Sequence, residues 1–211
     1  MAMFEDRVDA ALKLCQKLKF INSKNYIIVG LARGGVVTAN TLSKYLNLSL
    51  KALIVKKIGA PGSPELAIGA IAYPNYVFWN KGLSQKLGIS PSLKRILQKQ
   101  KQQEIKELIK EMGLSIKRNE FNGKNVILVD DGVATGMSVL AALNSLKKQG
   151  AKKVILAIPI IAVDTLNYIK KYFDKVIYLR KEKDFYAVSE FYKDFPQVDS
   201  KEVSKLLNGS L

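Results

Sequence analysis

The sequence predicts an α/β protein: a mainly parallel, twisted sheet with helices on both faces. Three observations predict it. Short aliphatic runs bounded by turn residues recur along the chain, as Tyr26–Val29, Leu50–Ile58, Val126–Val129, Val154–Ile158 and Val176–Leu179. Amphipathic stretches of helical period alternate with most of them, the pattern of strand–helix–strand units in one sheet. Apolar residues make up 48% of the 211, enough for one core with an appendage, so residues 1–211 read as a single domain.

The elements follow in order. Phe4 to Lys19 reads as a helix, with Phe4, Val8, Ala11, Leu12, Cys15 and Leu18 forming one stripe. Cys15 lies on that stripe and serves packing. A lone cysteine excludes an internal disulfide framework, and the lack of histidine excludes His-based proton relays and His-ligated metal sites. The strand Tyr26–Val29 runs into Gly30-Leu31-Ala32-Arg33-Gly34-Gly35, and a helix follows to about Leu46. Arg33 among small residues can offer a guanidinium and free amides to a diphosphate; a helix-entry turn with an exposed arginine is the equal alternative.

Leu50–Ile58 carries Lys56 and Lys57 near its end. Gly59-Ala60-Pro61-Gly62-Ser63-Pro64-Glu65 reads as a mobile loop, because two prolines and two glycines oppose regular structure. Ala67–Tyr73 and Tyr76–Trp79 read as a β-hairpin turned at Pro74-Asn75. Tyr76, Phe78 and Trp79 face either a partner subunit or the core, and a homodimer is expected. Ser90-Pro91 opens a helix to about Met112, an excursion over residues 90–113 before the last core strands. Arg118 follows, a solvated arginine that could also reach a phosphate.

Val126 to Ser138, VILVDDGVATGMS, organises the rest. A buried strand ends in Asp130 and Asp131, a small-residue loop follows, and a helix begins. Helix N-termini leave amides without partners and favour an anion, and small residues let such amides close around a phosphate. Thr135 and Ser138 add hydroxyls. Adjacent carboxylates at a strand's carboxyl end suit a ribose diol or a hard cation such as Mg2+. Beyond the motif, Val154–Ile158 is a strand ended by Pro159, Val163–Tyr172 a helix, and Val176–Leu179 the last core strand. From Arg180 the tail is aromatic, with Phe185, Tyr186, Phe191, Tyr192 and Phe195. Asp199 caps a closing helix to Leu207.

The motif resembles the phosphoribosyl-pyrophosphate (PRPP) signature of the type I phosphoribosyltransferases: four apolar residues, two acids, and a loop ending Thr-Gly-x-Thr/Ser. Here these are VILV, Asp130-Asp131 and Thr135-Gly136-Met137-Ser138. Ala32-Arg33-Gly34-Gly35 resembles the family's pyrophosphate loop, and PGSPELAIGAIAY resembles an uncharacterised subgroup of the family. The resemblance implies transfer of the phosphoribosyl group from PRPP to a nitrogen of a nucleobase or related acceptor, with release of pyrophosphate. It implies Asp130, Asp131, Lys56 and Arg33 as the catalytic set, with Mg2+ near Asp130 and Asp131, directly or through water. It assigns Gly132, Val133, Ala134, Thr135, Gly136, Met137 and Ser138 to the ribose phosphate and Ala32, Arg33, Gly34 and Lys57 to pyrophosphate. It places a flexible catalytic loop over 59–65 and a small C-terminal hood over about 180–211, with base stacking on Phe185 or Tyr186 and hood packing on Tyr192 and Phe195. Gly132, where most members carry an aliphatic residue, implies a more mobile loop. Ala134 stands where members acting on 6-oxopurines carry an acid, which disfavours hypoxanthine–guanine salvage; Glu190 is the tail acid offered for an acceptor contact.

Thirty-four Lys and Arg against eighteen Asp and Glu give a net charge of +16. Such a balance favours polyanionic partners, but the lysines are spread along the chain and do not cluster. The alternative function is therefore a non-catalytic PRPP- or nucleotide-sensing regulator that binds nucleic acid. A nucleotide binder of another family is disfavoured because the first loop lacks GxGxxG or GxxxxGKS spacing. No apolar run spans a membrane, and the first residues lack a signal-peptide block, so a cytoplasmic location is expected.

Overall fold

The computed structural model describes residues 3–21, 25–115 and 120–209. Arg118 lies outside the described residues. Seven strands form one sheet in the order β4-β3-β2-β1-β5-β6-β7. They are β1 (Tyr26–Ala32), β2 (Leu50–Ala60), β3 (Ser63–Ala72), β4 (Tyr76–Trp79), β5 (Asn125–Val129), β6 (Lys153–Ala162) and β7 (Lys175–Glu182). β2, β1, β5, β6 and β7 are parallel; β3 and β4 continue the sheet as an antiparallel edge. Parallel strands covered on both faces need unbroken apolar runs, and β5 is buried from Val126 through Val129.

Alternate residues of the strands feed two cores. Ile27 and Val29 of β1, Val126 and Leu128 of β5, and Leu156 of β6 pack under α5 (Met137–Lys148) and α6 (Val163–Ile169). Ile28, Ile54, Ile127 and Ile155 pack under α1 (Arg7–Lys17), α2 (Gly34–Leu46), α4 (Pro91–Glu111) and α7 (Ser200–Asn208). A third cluster gathers Phe4, Ala10, Ile160 and Tyr192, with Phe185, Val188, Phe191 and Phe195 against it.

α1, α4 and α7 begin at side-chain caps. Asp6, Ser90 and Asp199 accept the amides of Asp9, Leu93 and Glu202 from α1, α4 and α7. α3 (Lys81–Lys86), capped by Asn80, is a short helix that the sequence reading missed.

Four expectations are corrected. α1 starts at Arg7; Phe4 instead bridges to Tyr192. Its buried face is Arg7, Ala10, Ala11, Leu14 and Cys15, while Val8 and Leu12 are exposed. Residues 59–65 are not a free loop. β2 and β3 run through them and turn at Pro61 and Gly62, where Gly62 has φ 73°, a conformation glycine adopts without strain. β6 does not stop at Pro159. Its last pair with β5 is Val129–Ala157, so the proline lies where that neighbour has ended. α6 stops at Ile169, short of Tyr172. The 67–79 hairpin forms as expected, with Tyr76, Phe78 and Trp79 half-buried on edge strand β4. Among the described residues, no helix is long and apolar enough to cross a membrane.

Candidate active site

The chain passes from β1 to β2 on one side of β1 and returns with β5 on the other. The carboxyl ends of β1 and β5 therefore flank a point where strand order reverses, the place where open α/β sheets hold ligands. Arg33 follows β1 there, and Asp130 and Asp131 follow β5. A cavity of about 180 Å3 opens at this point, lined by both acids, the loop from Gly132 to Gly136, Ser138, and Lys57 of β2.

The loop is fixed from behind. The Val133 amide donates to the Ile160 carbonyl at 3.0 Å, and the Ala162 amide donates to the Val133 carbonyl at 3.1 Å. The Thr165 hydroxyl donates to the Ala134 carbonyl. Gly136 sits at φ 76° before α5, and no side chain caps that helix. Its first-turn amides have no acceptor within the helix, so an anion in the cavity meets a helix N-terminus. Thr135 is exposed and Ser138 half-buried, leaving both hydroxyls within reach of solvent; the Met137 side chain is buried in the core, so only its backbone can serve the cavity.

Glycines let the β1 loop close on the acids. A Cβ on Gly34 would lie 2.2 Å from Asp131 Oδ2, and one on Gly35 would lie 2.7 Å from Asp130 Oδ1 and 2.9 Å from the Val129 carbonyl oxygen. Any side chain at either place would part α2 from the end of β5. Gly132 is buried, contrary to the mobile loop expected there: a Cβ on it would meet Val188 at 2.5 Å and Ile160 at 2.9 Å. Val188 fills the space that a larger residue would occupy.

The two acids differ. Asp130 accepts the Asp131 amide at 3.0 Å. Burial pushes its carboxyl well above the usual carboxylate range and the neighbouring Asp131 charge adds to this, while the Asp131 amide, Lys57 and Arg7 oppose it. Asp131 is ion-paired: Arg7 Nε donates to its Oδ2 at 2.8 Å, with side-chain exposures of 8% and 13%. Burial raises the Asp131 carboxyl too, against the pull of that hydrogen bond.

The other expected residues separate. Lys57 reaches the cavity; Lys56 instead points to α4, 3.8 Å from Glu104, because successive strand residues face opposite sides. Arg33 is exposed at the start of α2, with Ala32 half-buried beside it, joined by a cis peptide. Phe185 packs on Phe191 with ring centroids 5.0 Å apart, which is packing and not a free stacking face. Tyr186 is 84% exposed and outside the cavity lining. Glu190 lies exposed in the short 3-10 helix Val188–Phe191. Tyr192 and Phe195 do pack together, at 4.9 Å.

Two contributors escaped the sequence reading, Arg7 and Val188; Tyr192, expected only as hood packing, also donates its hydroxyl to the Asp131 carbonyl at 2.5 Å. Arg7 carried a signal. It falls one turn before Ala10 and Ala11 on the stripe that continues through Leu14 and Leu18, and a charge on a buried stripe demands a partner.

Known proteins are similar to this chain in sequence and in fold. The chain is 32% identical over 208 residues to "Putative phosphoribosyl transferase MT0597" of Mycobacterium tuberculosis (strain CDC 1551 / Oshkosh), an alignment covering 99% of this chain and 47% of that protein. The chain thus spans about half the length of the curated relatives it matches. The crystal structure of TT1426 from Thermus thermophilus superposes with a TM-score of 0.81 at 29% identity, over 97% of both chains. A purine phosphoribosyltransferase from Pyrococcus horikoshii Ot3 shares the fold at a TM-score of 0.51 and 19% identity, over 94% of this chain and 98% of that one. The family model described as the phosphoribosyl transferase domain matches residues 2–195. With the acid pair, the small-residue loop and the switch-point cavity all inside that span, the chain belongs to the phosphoribosyl transferase domain family.

Proposed function

We propose that this domain transfers the phosphoribosyl group of PRPP to a nitrogen of a nucleobase-type acceptor. The acceptor lone pair forms a bond to the anomeric carbon as the bond from that carbon to the diphosphate oxygen breaks. The diphosphate leaves with the bonding pair, and the acceptor nitrogen releases a proton. Positive charge builds on the sugar and negative charge on the leaving group, so positioning and electrostatics dominate the barrier.

The observation that supports this reading is the placing of Asp130 and Lys57 across one small cavity from the uncapped start of α5. The α5 amides and the hydroxyls of Thr135 and Ser138 suit the ribose phosphate. Asp130 suits the ribose hydroxyls. Lys57, with Arg33 and the amides after Ala32, suits the diphosphate. The segment from Phe185 to Phe195 serves as the hood on the acceptor side, with Val188 at the cavity wall.

Mg2+ fits as a cation carried by the substrate. Among the described residues no group of three His, Cys, Asp or Glu could cage an ion, and Asp131 Oδ2 is engaged by Arg7. A cation held chiefly by phosphate oxygens needs one or two protein carboxylates, and Asp130 would be the main one. When bound, it would neutralise diphosphate charge.

The test is pyrophosphate release from PRPP and Mg2+ with a panel of nucleobases and amines. The reading expects release with at least one acceptor and its loss in Asp130→Asn. Salt-dependent binding to RNA or DNA with neither turnover nor PRPP binding would overturn it in favour of a nucleic-acid regulator.

A further inference from the structure

We infer that Arg7 is a positioning residue: it clasps Asp131 to the C-terminal segment, so that Asp130 alone of the two acids is free to meet the sugar, and seating of that segment and orientation of the acid become one event. The inference rests on the PRPP reading above.

The guanidinium joins three parts of the chain. Its Nε donates to Asp131 Oδ2 at 2.8 Å, and its Nη1 donates to the Pro196 carbonyl at 2.8 Å. Its Cζ lies 3.6 Å from the centroid of the Phe195 ring. Arg7 itself is 7% exposed. A planar fork with fixed donors can hold a carboxylate and a carbonyl at once while lying flat on an aromatic face; an ammonium is a point charge with no flat face to stack. From the same side, the Tyr192 hydroxyl donates to the Asp131 carbonyl at 2.5 Å.

The segment that Arg7 grips is already tied to the start of the chain. The Met3 and Phe4 amides donate to the Phe191 carbonyl, the Lys193 amide to the Phe4 carbonyl at 2.9 Å, and the Asp194 amide to the Glu5 carbonyl at 2.8 Å. Residues 3–5 and 191–194 thus form one unit, and Arg7, two residues on, is where that unit enters the site. On the far side, Gly34 brings the start of α2 against the same carboxylate. Asp131 is therefore enclosed by α1, α2 and the C-terminal segment. Asp130 has no cation in hydrogen-bonding contact among the described residues; its charged neighbours act at longer range.

The clasp predicts a link between two distant readouts: affinity for Mg2+·PRPP, and amide protection of residues 188–196. The experiment measures both, by calorimetry and by hydrogen exchange with and without Mg2+·PRPP, in wild type, Arg7→Gln, Arg7→Lys, Asp131→Asn and the Arg7→Gln/Asp131→Asn double variant. Binding is expected to raise protection of 188–196 in wild type. Arg7→Gln should weaken affinity at least tenfold and abolish that rise. Arg7→Lys keeps a cation beside Asp131 but loses the fixed fork and the flat stacking on Phe195 that hold the C-terminal segment, so it should recover affinity to within a few-fold while the rise stays absent. A residue that only stabilised the fold would show no such split. The double variant should bind no more weakly than Arg7→Gln alone, because the pair acts as a unit.

Folded Arg7→Gln with wild-type affinity and a wild-type rise in protection would overturn the clasp. Failure of wild type to bind Mg2+·PRPP would instead overturn the PRPP reading. The clasp is then decided in the unliganded protein, where Arg7→Gln must speed exchange of residues 191–196 and Asp130→Asn must not; equal exchange in both would overturn it.

Discussion

Asp130 sets function against stability. Its carboxyl is raised by burial and by Asp131, so the folded chain holds that proton more tightly than the unfolded chain, whose aspartates titrate near ~3.9. Stability from this group is fully present below the unfolded value and is lost as pH rises through the folded one. Above the unfolded value this acid therefore opposes folding. Asp130→Asn should raise Tm by a few degrees at pH 7, with the gain shrinking as pH falls through the folded value and gone below about 4. Thermal scans across that range check it; a gain that is constant with pH, or a loss at pH 7, would contradict the account. The lysine pair gives a second residue-level expectation. Lys57→Ala should weaken Mg2+·PRPP binding about tenfold, since a charge-assisted contact is lost. Lys56→Ala should leave Kd within about twofold, because an exposed pair such as Lys56–Glu104 contributes little.

Between elements, the notable contact is the one from the Val188–Phe191 turn to the loop after β5. Val188 occupies the room that Gly132 leaves. Gly132→Ala should destabilise the protein by about 1–3 kcal/mol through overpacking. Val188→Ala on that background should recover most of the loss, and chemical denaturation of the single and double variants measures it. Additive losses would show that the two residues do not share the space. This contact also explains why the loop was misread. A glycine in a phosphate loop reads locally as mobility, and the residue that immobilises it stands 56 positions later. The same limit hid Pro61-Gly62 as a hairpin turn. Proline and glycine mark a turn in any sequence, but whether the flanking residues pair depends on strands that meet only in the fold. The face of α1 was misplaced for a related reason. Val8 and Leu12 were placed on the stripe and Ala10 and Leu14 were not, and Arg7, whose buried partner Asp131 stands 124 positions away, was left off it.

For the whole molecule, the parallel sheet, the helices on both faces and the acid-bearing strand were legible, because short buried runs such as VILV and YIIV carry their own signal. The positions of Asp130, Asp131 and Thr135 followed from the motif. What was not legible is the return of the two chain ends to the site. The segment around Phe4 pairs with that around Tyr192, and Arg7 joins it to Asp131; contacts over more than 120 residues leave no local pattern. The sheet's strand order brings β1 and β5 side by side, and everything assigned to the cavity depends on that adjacency.

The most direct measurement is calorimetric titration of the protein with PRPP in the presence of Mg2+, for wild type and Asp130→Asn at neutral pH. The account predicts saturable one-site binding by wild type and affinity at least tenfold weaker in the variant, whose fold is retained and whose Tm is no lower. Equal affinity in the two proteins, or no binding by wild type, would contradict it.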